Sequence, residues 1–230
     1  MNISYELLWV MMMVVNFCFI LSTYKLFGKH GLYGWIVLSS IVANIQVAVT
    51  VNLFGMSATL GNIMHGTSFL ATDILSEHYG RKDANRGVFI GFFTMIATAV
   101  LMQIVIRFTP NEFDTMMLHV RPVFEFFPRV VISSLIAYLI SQLHDTWAFE
   151  FWKKRTQGKY LWLRNNGSTI VSQIIDVSLF TILAFTGTMP VLQMVEIGIS
   201  AYVLKVVVAI CDTPFMYLSK KVSKNFLISE

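Results

Sequence analysis

The sequence predicts an all-α, polytopic integral membrane protein, a bundle of about seven transmembrane helices. Three observations predict it. Of 230 residues, 56% are hydrophobic and only 13% are charged, where a soluble domain carries about 25% charged residues. The charges leave long stretches empty, so apolar runs of roughly 20 residues recur, the length that crosses a bilayer. Mean hydropathy is +0.66. Together these exclude a soluble enzyme, a disordered chain and a nucleic-acid reader, despite a pI near 9.1. At about 20 residues per span, the chain accommodates seven spans and short loops as one transmembrane domain, 1–230, with no separate soluble domain.

The apolar runs place spans at 4–27, 32–54, 57–78, 85–108, 128–153, 166–187 and 192–219. No Lys or Arg precedes the first run and no small-residue cleavage site follows it, so it reads as a helix and not as a cleavable signal. The segment 109–127, with Pro110, Pro122 and Phe124, is too short to span and too apolar to float free. It reads as an interfacial helix or lid, or as a plain loop anchored by aromatics. Pro128 stands where a helix tolerates proline, in its first turn. Pro214 lies inside the last helix and predicts a kink. Gly87 and Gly91 form a GxxxG pair at a helix end, a pattern common by chance.

The basic residues predict orientation. With the N-terminus outside, thirteen Lys and Arg fall on the cytoplasmic side, only Arg107, Arg121 and Arg129 fall outside, and Lys205 lies within the last helix. That asymmetry is the excess expected of cytoplasmic loops, and it predicts an outside N-terminus and a cytoplasmic C-terminus. Cys18 and Cys211 both sit in apolar runs, so neither a disulfide framework nor a cysteine metal site is expected. No Walker motif, serine elbow or HExxH occurs, and the histidines lack metal-ligand spacing. No catalytic residue, metal or cofactor is assigned.

Ionisable residues inside the bilayer are costly and usually functional. Asp73, Asp176, Lys205 and Asp212 stand at such depths. Asp176 and Lys205 fall near mid-helix, where facing each other would neutralise both. Buried pairs that merely fix helix register are the plain alternative. Polar stripes at helical spacing accompany them: Asn62, Gly66, Phe69, Asp73 and Glu77; Thr169, Gln173, Asp176 and Phe180; Tyr202, Lys205, Ala209 and Asp212. The glycine at 66 reads as a gap in the first stripe. Asn44, Gln46 and Asn52 on the second span, and Arg129, Tyr138 and Gln142 on the fifth, add candidates. His65 reads as a packing histidine, or with Asp73 and Glu77 as part of a gate or proton relay. Such stripes line an interior cavity. Acids, amides and one lysine interleaved with aromatics suit a flat, polar heterocycle.

Three segments, in order, resemble the queuosine-precursor transporter family (the YhhQ or VUT family). Phe69-Leu70-Ala71-Thr72-Asp73-Ile74, continued by Ser76-Glu77-His78-Tyr79-Gly80-Arg81-Lys82, resembles its first signature. Ser168-Thr169, then Ser172-Gln173 and Asp176, resembles its second. Tyr202 and Lys205 followed by Asp212-Thr213-Pro214 and Tyr217 resemble its last helix. The resemblance spans about residues 35–220 and implies a six-span family core at 31–224, with the helix of 1–30 additional to it.

It further implies import of 7-deazaguanine precursors of queuosine (the cyano form, the aminomethyl form or queuine) across a prokaryotic cytoplasmic membrane. Asp73, Glu77, Gln173, Asp176, Lys205 and Asp212 occupy the family's polar motif positions. The expected substrate site is therefore Asp73, Gln173, Asp176, Lys205 and Asp212, with Asn44 and Arg129, and with Phe69, Phe180 and Tyr202 as stacking partners. The partners expected are the deazapurine, the lipid bilayer and a second copy in a homodimer, with no nucleic acid. Proton-driven transport and facilitation both fit. The alternative is a substrate-binding subunit of an energy-coupling-factor transporter that needs partner ATPases. An intramembrane protease using two acids, and a seven-helix receptor, fit less well.

Overall fold

The computed structural model describes residues 4–125, 128–188 and 190–226, leaving out the side chains of 57, 128–130 and 224–226. Helix α1, Tyr5–Gln46, begins at Ser4, whose hydroxyl accepts the Leu7 N–H at 3.3 Å, a side-chain cap on an otherwise unpaired donor. Forty-two residues would make a rod of about 63 Å at 1.5 Å per residue, twice a bilayer core. Gly28 prevents that: its φ of 57° and ψ of −137° belong to a region only glycine enters at little cost. The chain reverses there. Trp9 on the first arm meets Phe54, just past the second arm, at 6.0 Å between rings. Tyr24 stacks on His78 at the other end, where Lys29 and Tyr33 of the second arm bind Asp83. The first two spans read from the sequence are the two arms of this one broken helix.

The second arm stops at Gln46, not at 54. Residues Thr50–Leu53 (β1) and Met56–Thr59 (β2) pair antiparallel, Thr50 opposite Thr59 and Leu53 opposite Met56. Phe54 and Gly55 at the tip both have positive φ, 52° and 75°, the pattern of a primed two-residue hairpin turn. The β-branched run Val49-Thr50-Val51 is the local reason for a strand here. Asn52 therefore belongs to a strand, and the next helix, α2 (Gly61–His78), starts four residues later than the hydropathy suggested.

Helices α3 (Arg81–Val105), α5 (Pro128–Arg155), α6 (Leu161–Phe185) and α7 (Val191–Phe226) complete the bundle. The short α4 (Met117–Glu125) lies in the segment expected to be interfacial and buries none of its residues. Gln103 on α3 donates to the Phe124 carbonyl and Arg121 donates to that of Ile106, tying α4 to the end of α3. Helix α7 continues through Pro214.

Burial runs opposite to that of a soluble protein. Among the described residues four helices, α1, α3, α6 and α7, are long and apolar enough to cross a membrane. In the most apolar of them, α3, only 17% of the spanning window is buried. By contrast α2 buries fifteen of its eighteen residues although it carries Asn62, Thr67, Ser68, Thr72, Asp73 and Ser76. Apolar side chains turned outward around a polar central helix are stable in lipid, where polar groups must be satisfied internally. The protein is thus a multi-pass membrane protein with α2 at its centre.

Close packing of α2 and α3 depends on glycines. A Cβ on Gly66 would stand 2.6 Å from Val208 Cγ1 of α7, so the supposed gap in the α2 stripe is filled by a neighbouring helix. On α3, a Cβ at Gly87 would meet Ile36 at 2.7 Å, and one at Gly91 would meet the Tyr138 hydroxyl at 2.3 Å and Ile36 at 2.9 Å. The GxxxG pair is therefore the contact face of α3 on α1 and α5, a role its helix-end position concealed.

Candidate functional site

The inward face of α6 is a continuous polar seam. Arg164, Asn165, Ser168, Thr169, Ser172, Gln173 and Asp176 recur at spacings of three and four, and all are buried. Helices α2, α5 and α7 close around this seam and divide it into three levels.

At the top level stands the expected pair. Lys205 Nζ donates to Asp176 Oδ2. Ser141 on α5 donates to the other carboxylate oxygen at 3.1 Å, and His65 Nε2 lies 3.3 Å from Oδ2. Asp176 is 4% exposed and Lys205 9%, so each neutralises a charge that isolation would make prohibitively costly. The His65 ring lies against Phe69 and Tyr138, with centroids 5.6 and 6.1 Å away. Phe69 is fully buried.

The middle level holds two glutamines in opposite states. Gln142 of α5 accepts from Thr72 at 3.1 Å and donates to Ser68 at 3.2 Å, locking α5 to α2. Gln173 of α6 is fully buried, yet neither its amide nitrogen nor its oxygen has a partner. A buried amide left unsatisfied costs about 1–3 kcal/mol. Gln173 sits one turn from Thr169 and three residues from Asp176, on the same buried face of α6.

Those acids form the third level. Asp73 (α2), Asp145 (α5) and Asp212 (α7) are each 1% exposed or less. Thr169 donates to Asp73 Oδ2 at 3.3 Å, and Asn165 donates to Asp212 Oδ1 at 2.8 Å. Asp145 faces Asp73 and the hydroxyls of Ser168, Thr169 and Ser172.

Beneath the three levels, at the end rich in Lys and Arg, Glu77 is gripped by Arg164 through two hydrogen bonds of 3.0 and 2.6 Å. Lys220 reaches the same carboxylate at 2.8 Å and Lys153 at 3.5 Å. Arg164 also donates to the carbonyls of Gly158 and Lys159. Lys153 donates to those of Ser76 and Glu77. Outside the bilayer segments, Asp83 shows the same use of local charge: the Tyr33 hydroxyl and the Lys29 ammonium hold its carboxyl below the usual carboxylate range.

Of the residues singled out from the sequence, the fold brings together Asp73, Phe69, His65, Gln173, Asp176, Lys205 and Asp212. Glu77 lies below them in the ion network. Phe180 is half-buried and packs on Phe185 at 5.7 Å, and Tyr202 is half-buried. Asn44 donates to the Ser40 carbonyl of its own helix. The Arg129 side chain lies outside the described residues. Sequence reasoning missed Ser141, Asp145, Arg164 and Asn165. Asp145 continues the stripe of Tyr138 and Gln142 by one turn, a signal that was present. Arg164 and Asn165 were lost to a boundary, because α6 begins at Leu161 and not at 166.

A family model described as "Putative vitamin uptake transporter" matches residues 59–219, which contain all three levels. A "Probable queuosine precursor transporter" of Bacillus subtilis (strain 168) is 40% identical over 218 residues, covering 94% of this chain and 95% of that protein. A "Probable queuosine precursor transporter" of Haemophilus influenzae (strain ATCC 51907 / DSM 11121 / KW20 / Rd) is 25% identical over 135 residues, 58% of this chain and 54% of its own. No solved structure matches. With the model covering most of the chain and a relative this similar over nearly all of it, the chain belongs to the queuosine-precursor (vitamin uptake) transporter family, a family of transporters and not of enzymes.

Proposed function

We propose that this protein imports 7-deazaguanine precursors of queuosine through the polar core, binding the base between the Asp176–Lys205 pair and the Gln173 amide. The observation that carries the reading is Gln173, a fully buried side-chain amide with both hydrogen-bonding atoms unpartnered. An amide offers one acceptor and two donors, which suits the edge of a base that presents ring N–H, amino and oxo groups side by side. Asp176 can accept from two adjacent donors of such a base, Lys205 can donate to its oxo group, and Phe69 can stack on its face. The name of the Bacillus relative supports the substrate class.

The basic ring around Glu77 supports placing that end in the cytoplasm, hence an outside N-terminus, with Glu77 and its partners closing the exit. Proton drive is part of the reading, because buried carboxylates are the groups that can take up and release protons as access alternates.

Uptake of labelled cyano- and aminomethyl-deazaguanine into proteoliposomes containing only this protein tests the reading. Saturable uptake is expected. Tight binding without uptake would favour a binding subunit that needs ATPases. Absence of both would overturn the substrate assignment.

A further inference from the structure

Five carboxylates sit inward of the lipid-facing surface, and they fall into two kinds. Asp176 has Lys205 and His65 beside it, and Glu77 has Arg164, Lys153 and Lys220. Asp73, Asp145 and Asp212 have none: among the described residues no Lys, Arg or His lies within ion-pair distance of them. Lys153, Lys154, Arg164, Lys205 and Lys220 on the helices packed around them are each paired with another acid. His144 of α5 reaches the cluster only through its hydrogen bond to Ser172, at 2.9 Å. From α1 and α3, the titratable groups Tyr24, Lys29, Tyr33 and Asp83 contact His78, Tyr79 and one another.

Three ionised carboxylates cannot share a dry core without compensation. Asp73 and Asp145 face each other within hydrogen-bonding reach, and two buried carboxylates sharing one site do not both stay charged. Two buried amides on the adjoining seam of α6 have unpaired atoms. Asn165, fully buried, gives its amide nitrogen to Asp212 while its oxygen has no donor. Gln173, one turn along from Thr169, has no partner at all. Acceptor oxygens without a donor on Asp73 and Asn165 call for bound hydrogen. No group of three or more His, Cys, Asp or Glu among the described residues is spaced to hold a metal ion.

We infer that Asp73, Asp145 and Asp212 form a proton-holding site, separate from the Asp176–Lys205 pair, whose loading and release drive the transport cycle. The inference rests on the carrier reading above. Protonation turns acceptor-only carboxylates into O–H donors, which can then bond the facing carboxylate and the Asn165 oxygen. Loss of those protons leaves like charges in contact and forces the helices that carry them, α2, α5 and α7, to open toward water. Asp145 is the residue to alter, since it joins no proposed substrate contact.

Two measurements decide the matter. Infrared difference spectra at neutral pH are expected to contain the carbonyl band of a solvent-shielded, un-ionised carboxylic acid, weakened in Asp145→Asn. Absence of that band in the unmodified protein would overturn the inference whether or not any substrate is carried. In proteoliposomes, an inward proton gradient is expected to raise precursor accumulation at least tenfold, with a protonophore abolishing the rise. Asp145→Asn is expected to keep substrate exchange at equal concentrations while losing that accumulation, and Asp145→Glu to restore it. Exchange by the unmodified protein that ignores a proton gradient, or responds only to sodium, would contradict the inference, as would gradient-driven accumulation by Asp145→Asn. Failure of the unmodified protein to bind or exchange any deazaguanine would instead overturn the carrier reading, leaving the infrared result to judge the acid cluster.

Discussion

A single lysine sets the electrostatics of the upper core. Lys205 and Asp176 are both buried, so removing either leaves a charge without its partner. Breaking a buried pair this way costs about 3–5 kcal/mol. Lys205→Met should therefore lower the melting temperature in detergent, while Lys205→Met combined with Asp176→Asn should recover most of the loss and still fail to transport. Equal melting of the single and double variants would show that the pair carries no stability. Gln173 behaves in the opposite way. Its amide has no partner to lose, so Gln173→Leu should leave stability unchanged or raise it slightly. If the amide reads the base, the same change should weaken precursor binding by about 10- to 100-fold, the equivalent of roughly 1.4–2.8 kcal/mol.

At the scale of the element, the helices are positioned by a few close approaches. Gly91 lets α3 touch Ile36 and Tyr138 at distances no Cβ allows, and Gly91→Ala should cost about 1–3 kcal/mol through overpacking. Ala at the exposed Gly34, where nothing lies within 4 Å, is the matched control and should be nearly neutral. Glu77 holds α2 to α5, α6 and α7 at the basic end. Glu77→Gln should leave Arg164 with its two carbonyls but no counter-charge, and thermal unfolding should detect the loss. Asp83 adds a pH dependence. Its carboxyl is held below the usual range by Tyr33 and Lys29, so its contribution is present above the ordinary carboxylate pKa and is lost as pH falls through the lowered value. An Asp83→Asn variant should therefore show a shallower fall in stability on acidification below about pH 4.

For the molecule as a whole, hydropathy was enough to read a polytopic bundle, because lipid imposes long apolar runs that nothing else requires. The polar stripes were legible for the same reason: Asp73, Gln173, Asp176, Lys205 and Asp212 are conspicuous only against an apolar background. What the sequence concealed was local. Hydropathy carried the second span to 54, but a β-branched stretch and a Phe-Gly turn make residues 50–59 a hairpin. Gly28 was passed over as part of a loop, although its backbone geometry folds α1 back on itself. Asp145 escaped because it stands eight residues from the end of its predicted span, among His144, Glu150 and Lys153, where an acid looks like part of a polar rim. Only the packing of α5 against α2 and α6 places it beside Asp73.

The most direct test of the polar core as a substrate site is binding of aminomethyl-deazaguanine to the purified protein and to Gln173→Leu, measured beside the melting temperature of each. The account predicts saturable binding that raises the melting temperature of the unmodified protein, and binding at least tenfold weaker in a variant whose unliganded stability is unchanged. Equal affinity in the two would contradict it and move the substrate away from the seam of α6.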